Sequence, residues 1–349
     1  MREKNRAVQA VFEILLALII IAAIYFVIRF LDQRDARTER LAKETETEYT
    51  WNDFPDETVK IKLGRKKYVF SHPVKTYLFM GTDKSGNEEG IGEDYQGSMA
   101  DTLMLVVIDD QEKSYGVLQL NRDTVTEVPM LLHDGTAYAS CDEQLCTAHW
   151  YGKDKKASCE NTVNTVSKML GGIPIDGYYA LQMEAMPVLN HEVGGVTVTL
   201  EDDMTNLDPK MKKGATIKLT DKQAEILLHS RYDMKDDRNT ERMRRQRLFL
   251  SAFLKTMKER NAQDVNNTIE LYDRLREYAT EGIDINELTS TLQSMNGYTD
   301  KGIITIDGES KIGTKLRDGK EHWEFYMDED SLDSAMHTLY PLVLQKGKK

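Results

Sequence analysis

ADTLMLVVIDDQEKSYGVLQLNRD, residues 100–123, holds two apolar runs of strand length, TLMLVVI (102–108) and YGVLQL (115–120), separated by the polar turn DDQEKS. Uninterrupted apolar runs of this length, bounded by turn residues, predict buried strands, and the short spacer predicts an antiparallel hairpin. In a hairpin the start of one strand and the end of the other share an edge, so Asp101 and the pair Arg122-Asp123 are expected side by side. A third run, TYLFM (76–80), ends in Gly81-Thr82-Asp83. If it lies antiparallel to 102–108, Asp83 comes to the same rim.

Outward from this hairpin the chain alternates helical and extended patterns. Apolar spacing at Val163, Val166, Met169 and Leu170 predicts a helix over 159–170, closed by Gly171 and Gly172. GGVTVTL (194–200) alternates as a strand. LTDKQAEILLHSR (219–231) reads as a short helix with Thr220 as N-cap, and 241–260 as a longer one. Weaker helical patterns cover 265–280 and 285–295, followed by strands at 302–306 and 322–327 and a last helix near 331–340. Such alternation predicts an α/β or α+β class, a sheet packed between helices.

Carboxylates gathered without histidine or cysteine suit a hard, oxygen-preferring cation, and Asp83 and Asp101 are the candidate Mg2+ ligands. Taken singly, each residue also reads as a turn cap or a solvated ion pair. A second concentration of charge follows: six arginines lie between Arg231 and Arg247 in a chain of net charge −12. At about 100° per residue, the apolar stripe of Phe249, Leu250, Phe253, Leu254 and Met257 extends back to Arg242 and Gln246, with Arg245 on the same side and Arg244 opposite. Inward-facing guanidinium groups need an anion, and a phosphate or an exposed network with Asp236, Asp237 and Glu241 would serve. The acidic balance and the lack of interleaved aromatics argue against nucleic acid as the partner.

The N-terminus differs from the rest. Arg2, Lys4 and Arg6 precede a run from Ala10 to Leu31 in which Ile14–Ile28 carries no charge. About 20 such residues span a bilayer as a helix. Residues 1–9 then form a cytoplasmic tail, 10–31 a transmembrane helix, 32–70 a charged extracytoplasmic stalk, and 71–345 the folded domain. Within that domain 72–260 is the core and 261–345 a C-terminal extension. A cleaved signal peptide is the rival reading, but the run is long and no small-x-small site follows it. Outside the cell Cys141, Cys146 and Cys159 allow one disulfide, expected between Cys141 and either of the others.

MGTDKSG, ADTLMLVVID, LQLNRDTV, IDGYYAL, VGGVTVTL, HSRYD and RMRRQ, in this order, resemble the LytR-CpsA-Psr family, membrane-anchored phosphotransferases of Gram-positive cell walls. The resemblance implies an α/β/α sandwich with a central mixed sheet and a hydrophobic tunnel for a polyprenyl tail. It implies transfer of a glycopolymer from an undecaprenyl diphosphate carrier to a peptidoglycan hydroxyl, with Mg2+ on the diphosphate. Asp83 and Asp101 then correspond to metal ligands. Arg122, Arg231, Arg242, Arg245 and Gln246 correspond to the diphosphate cradle, and Asp123 to an orienter or base. The catalytic group is expected to be Asp101, Arg122, Asp123 and Arg242. Three positions depart from the family pattern: Met99 and Asp233 replace arginines, and Asn121 replaces a proline. Lys235 or Arg238 could compensate. These departures leave room for a weakened polyprenyl-phosphate-binding regulator or scaffold, or for a lipid diphosphate hydrolase.

Overall fold

The structure is a computed structural model and describes residues 60–83, 86–87, 90–230, 239–261, 271, 274–283, 298–316 and 319–345. The expected transmembrane helix therefore lies outside the described residues, among which no helix is long and apolar enough to cross a membrane.

Strands β1 (Ile61–Leu63) and β2 (Lys66–Phe70) open the described chain, followed by β3 (Lys75–Thr82), β4 (Ala100–Asp109) and β5 (Ser114–Leu120). β6 (Val125–Leu131) and β7 (Ala137–Gln144) make an antiparallel ribbon. Next come helix α1 (Lys155–Met169), β8 (Gly177–Gln182), α2 (Ala185–Glu192), β9 (Thr197–Thr199) and β10 (Thr216–Lys218). α3 (Asp221–His229), α4 (Asn239–Asn261), β11 (Ala279–Gly282) and β12 (Thr299–Thr305) follow. The chain closes with β13 (Gly308–Gly313), β14 (His322–Met327), α5 (Glu329–Leu339) and β15 (Leu342–Leu344).

A six-stranded mixed sheet in the order β11-β8-β3-β4-β5-β12 forms the centre. β4 runs antiparallel to β3 and β5, while β8 is parallel to β3 and β12 is parallel to β5. The apolar run of β4 serves both faces, which is why it does not alternate with polar residues. Leu103, Leu105 and Val107 join one core with Val166 of α1 and Met336 and Leu339 of α5. Met104, Val106 and Ile108 join another, against which Leu250 of α4 packs. Gly116 marks how closely α5 approaches: a Cβ there would sit 2.5 Å from Cδ2 of Leu339. A third apolar cluster gathers Val196, Val198, Leu227, Phe249 and Phe253 around α3 and α4.

Several expectations are corrected. The end of the expected stalk is folded: β2 pairs with both β1 and β15, and Ile61 is fully buried, so the described domain reaches back to residue 60 rather than 71. Residues 261–345 are no appendage, since β12 completes the central sheet and α5 caps one of its faces. α1 begins four residues before Cys159, because its polar first turn carries no periodicity and is set instead by Asp154, whose side chain accepts from the Ala157 amide. Only Thr197–Thr199 of 194–200 is strand. In 265–280 the described end turns into β11, an edge strand on β8; 285–295 lies outside the described residues. The Thr220 cap is present as a reciprocal capping box with Gln223, 3.2 and 3.0 Å.

No disulfide joins the three cysteines. Each sulfur meets its own partner: Cys141 is 3.2 Å from Met130 Sδ in the ribbon, Cys146 is 2.8 Å from Arg122, and Cys159 is 3.6 Å from His149. Cys141 stands on β7, Cys146 in the 3-10 turn at Leu145–Trp150 and Cys159 on α1.

Candidate functional site: a buried carboxylate between two arginines

The antiparallel pairing of β3, β4 and β5 brings the end of β3, the start of β4 and the end of β5 to one edge. Gly81 faces Thr102 and Thr82 faces Ala100, so Asp101 is the extra residue of a β-bulge. Bulges re-aim side chains, and this one releases Asp101 from the strand's alternation. Two residues beyond the last β4–β5 pair, Leu103 with Leu120, stand Asp101 and Arg122.

Asp101 is 7 % exposed and lies between two guanidinium groups that are 5 % (Arg122) and 4 % (Arg242) exposed. Nη1 of Arg122 donates to Oδ1, and Nη1 of Arg242 donates to Oδ2 at 2.9 Å. Nε of Arg122 lies 3.3 Å from Asp123, itself buried. Charges this deep persist only when paired, and here two acids meet two bases. Burial pulls the Arg122 pKa down, but Asp101, Cys146 and Asp123 more than reverse it and hold the group above its usual range. The structure thus brings Asp101, Arg122, Asp123 and Arg242 together.

Asn121 explains how the chain manages without a proline before Arg122. Its Oδ1 accepts from the Asp123 amide at 3.0 Å, forming an Asx turn, and from Nδ2 of Asn239 at 2.8 Å. Oδ1 of Asn239 in turn accepts from Nε and Nη2 of Arg242 at 3.0 and 2.8 Å. A two-amide relay therefore ties the β5 turn to the start of α4 and sets the Arg242 fork. Asn239 was missed from sequence, although it lies three residues before Arg242 on the same helical face.

Met99 places its thioether 2.7 Å from Nη2 of Arg122, where the family pattern suggested another cation. Cys146 contacts the same nitrogen, and burial, with Arg122 opposing it, pushes this thiol up to about 12. Asp83 is half-buried; its amide donates to Met99 O at 3.1 Å, and Met99 N donates to its Oδ1 at 3.3 Å. Asp83 and Asp101 thus flank the two-residue segment at the start of β4.

The remaining expected cradle residues are not all gathered here. Arg245 is 2 % exposed, but it ties α4 to the end of α3: Nε donates to Leu227 O at 3.1 Å, Nη2 to Ser230 O, and Nη1 to Asp202 at 3.3 Å. Burial lowers its pKa, against the opposing pull of Asp202. The helical phase that placed it inward was right about burial, but the backbone carbonyls ending α3 supply its partners. Arg244 binds Glu201, Asp202 and Glu241 at a half-exposed corner. Gln246 is buried, and neither of its amide atoms has a hydrogen-bond partner among the described residues. Arg231, Asp233, Lys235 and Arg238 lie outside the described residues.

The fold is thus mixed α/β, with a buried cluster of paired arginines and aspartates at one edge of its central sheet. The family model described as "LytR_cpsA_psr family" matches residues 24–339, and the chain belongs to that family. Among curated proteins it is 28% identical over 232 residues to Biofilm regulatory protein A of Streptococcus mutans, covering 64% of this chain and 53% of that protein. It is 26% identical over 270 residues to the polyisoprenyl-teichoic acid–peptidoglycan teichoic acid transferase TagV of Bacillus subtilis, covering 75% and 63%. The chain thus spans between about half and just under two thirds of the length of these relatives. Solved structures share the fold: B. subtilis TagV (TM-score 0.55, 22% identity, 76% of this chain and 95% of that one) and TagT bound to LI-WTA (0.53, 19%, 80% and 96%). Protein gbs0355 of Streptococcus agalactiae matches at 0.59, with 19% identity over 76% of this chain and 86% of that one.

Proposed function

We propose that this chain is a membrane-anchored phosphotransferase that moves a glycopolymer from an undecaprenyl diphosphate carrier to peptidoglycan. In this reading residues 10–31 span the membrane, and the α/β/α layers stand on the extracellular side of a Gram-positive type envelope. The observation that carries it is the buried Asp101 held between Arg122 and Arg242, in a family whose curated relatives include teichoic acid transferases.

Arg122 and Arg242 present guanidinium forks, which match phosphate oxygens and strengthen as negative charge builds on a transferring phosphoryl group. Two acids beside them would repel a diphosphate unless a cation joins. Mg2+ would answer that charge, since it needs as few as one or two carboxylates and completes its shell with phosphate oxygens and water. Asp83 and Asp101 would hold it, and it would neutralise the diphosphate. As the acceptor hydroxyl oxygen bonds to the phosphorus and releases its proton to water, the bond to the carrier phosphate breaks and polyprenyl phosphate leaves. Asp123, tied to Nε of Arg122 and nearly inaccessible, orients that guanidinium. Gln246 brings an amide whose bonding capacity is unspent.

The test incubates the full chain with a short polyprenyl diphosphate glycan, Mg2+ and a peptidoglycan oligomer. Release of polyprenyl phosphate together with labelled peptidoglycan is expected. Release without transfer would replace this reading with hydrolysis. A second reading, a regulator or scaffold that captures the lipid, is favoured by Met99, whose neutral sulfur occupies the flank of Arg122. Tight lipid binding with no release in any condition would establish that reading instead.

A further inference from the structure

Beside the charged cluster, β5, β12, the β13–β14 ribbon and the start of α4 enclose a cavity of about 270 Å3. Gln119, Asn121, Thr124 and Ser310 give it amides and hydroxyls, while Phe325 gives it an aromatic surface. Asn121 is shared with the relay that sets Arg242, so the cavity adjoins the reacting groups rather than lying remote from them. Hydrogen-bonding groups around an apolar floor are the chemistry of a sugar ring, whose hydroxyls point outward and whose C–H face is apolar.

Arg247 also lines this cavity. Its Nη1 donates to Oε1 of Gln119, a neutral acceptor, and among the described residues no carboxylate forms an ion pair with it. Arg244, by contrast, has three such partners. Burial, with the nearby Arg244, depresses the Arg247 pKa against the opposing pull of Glu201 and Glu241. A guanidinium held by an amide at a cavity wall can take a planar carboxylate on its fork. Asp307, exposed on the same wall, can accept a sugar hydroxyl.

We propose that this cavity seats one acidic sugar residue, with Arg247, held in place by Gln119, reading its carboxylate and Phe325 its apolar face. Its role as the acceptor subsite rests on the transferase reading above; its preference for an acidic sugar does not.

The experiment titrates the full chain in detergent with methyl β-D-glucuronide and methyl β-D-glucoside, followed by ligand-observed NMR with no donor present. The glucuronide is expected to bind at least about tenfold tighter, equivalent to roughly 1.4 kcal/mol, and R247Q to abolish that preference. R247K, which keeps the charge but loses the fork, is expected to retain only part of it, and it remains informative if R247Q fails to fold. Equal binding of the two sugars to the wild type, or an unchanged preference in R247Q, would overturn the proposal. Inorganic phosphate competing as well as the glucuronide would reduce the site to a simple anion site and overturn the sugar assignment. Failure of glycopolymer transfer with this preference intact would sink the transferase reading alone.

Discussion

Replacing Asp101 by Asn removes a carboxylate that touches both Arg122 and Arg242. The substituted amide keeps the shape but offers an N–H to a guanidinium on one side. Arg122 retains Asp123 at 3.3 Å, and Arg242 retains the neutral Asn239 and the Asp101 carbonyl. Breaking a buried pair costs about 3–5 kcal/mol, a large share of the ~5–15 kcal/mol that holds a domain together. At ~2–4 °C per kcal/mol for a domain of this size, the melting temperature is expected to fall by roughly 6–20 °C. The same charge reasoning fixes a second outcome. With Asp101 neutral, the arginines face a deficit of negative charge, so inorganic pyrophosphate without Mg2+ should stabilise Asp101→Asn more than the wild type. At 100 times its Kd it would restore about 2.7 kcal/mol. Differential scanning fluorimetry with and without pyrophosphate reads both effects. A fall of under about 2 °C, or equal pyrophosphate shifts in the two proteins, would refute the view that Asp101 is the shared counter-ion.

Arg242→Gln and Arg244→Gln should separate clearly in denaturant titrations, because Arg242 is 4 % exposed and Arg244 sits in a half-exposed ion cluster. The expected losses are about 3 kcal/mol or more against about 1 kcal/mol. Gln246→Leu removes two buried amide atoms that have no partner among the described residues, so melting should stay level or rise by about 1 kcal/mol equivalent, while transfer activity falls if the amide meets the diphosphate. Cys146 supplies a pH signature. Its folded pKa of about 12 exceeds the ordinary thiol value of 9.0, so its contribution is full below about pH 9 and is lost as pH rises toward 12. Wild type should therefore lose stability more steeply over that window than Cys146→Ala, as followed by urea unfolding at stepped pH; parallel slopes would exclude a buried neutral thiol at this site.

The hairpin, the N-cap at Thr220 and the inward phase of Arg242 could be read from sequence because each is a local matter: an apolar run, a capping hydroxyl and a helical repeat. Long-range pairing was beyond that reach. β1 and β2 are too short and too charged to stand out, and the sheet they form with each other is completed by β15, which arrives from the far end of the chain. The same holds for β12, which completes the sheet after a separation of more than 170 residues from β5.

Within the candidate site the division is similar. Residue types and strand order alone placed Asp83, Asp101, Arg122 and Asp123 at one rim, since antiparallel geometry leaves no other end for them. Whether an inward arginine meets a carboxylate or a helix carbonyl depends on what stands opposite. Only tertiary packing decided that Arg242 serves Asp101 while Arg245, one turn on, serves the end of α3. The cysteines make the same point, because each sulfur meets a different partner, Met130, Arg122 or His149. The sequence by itself determined the kinds of charge and the strand ends that carry them; the fold determined which charges neutralise one another, because pairing energy depends on distance and burial rather than on order along the chain.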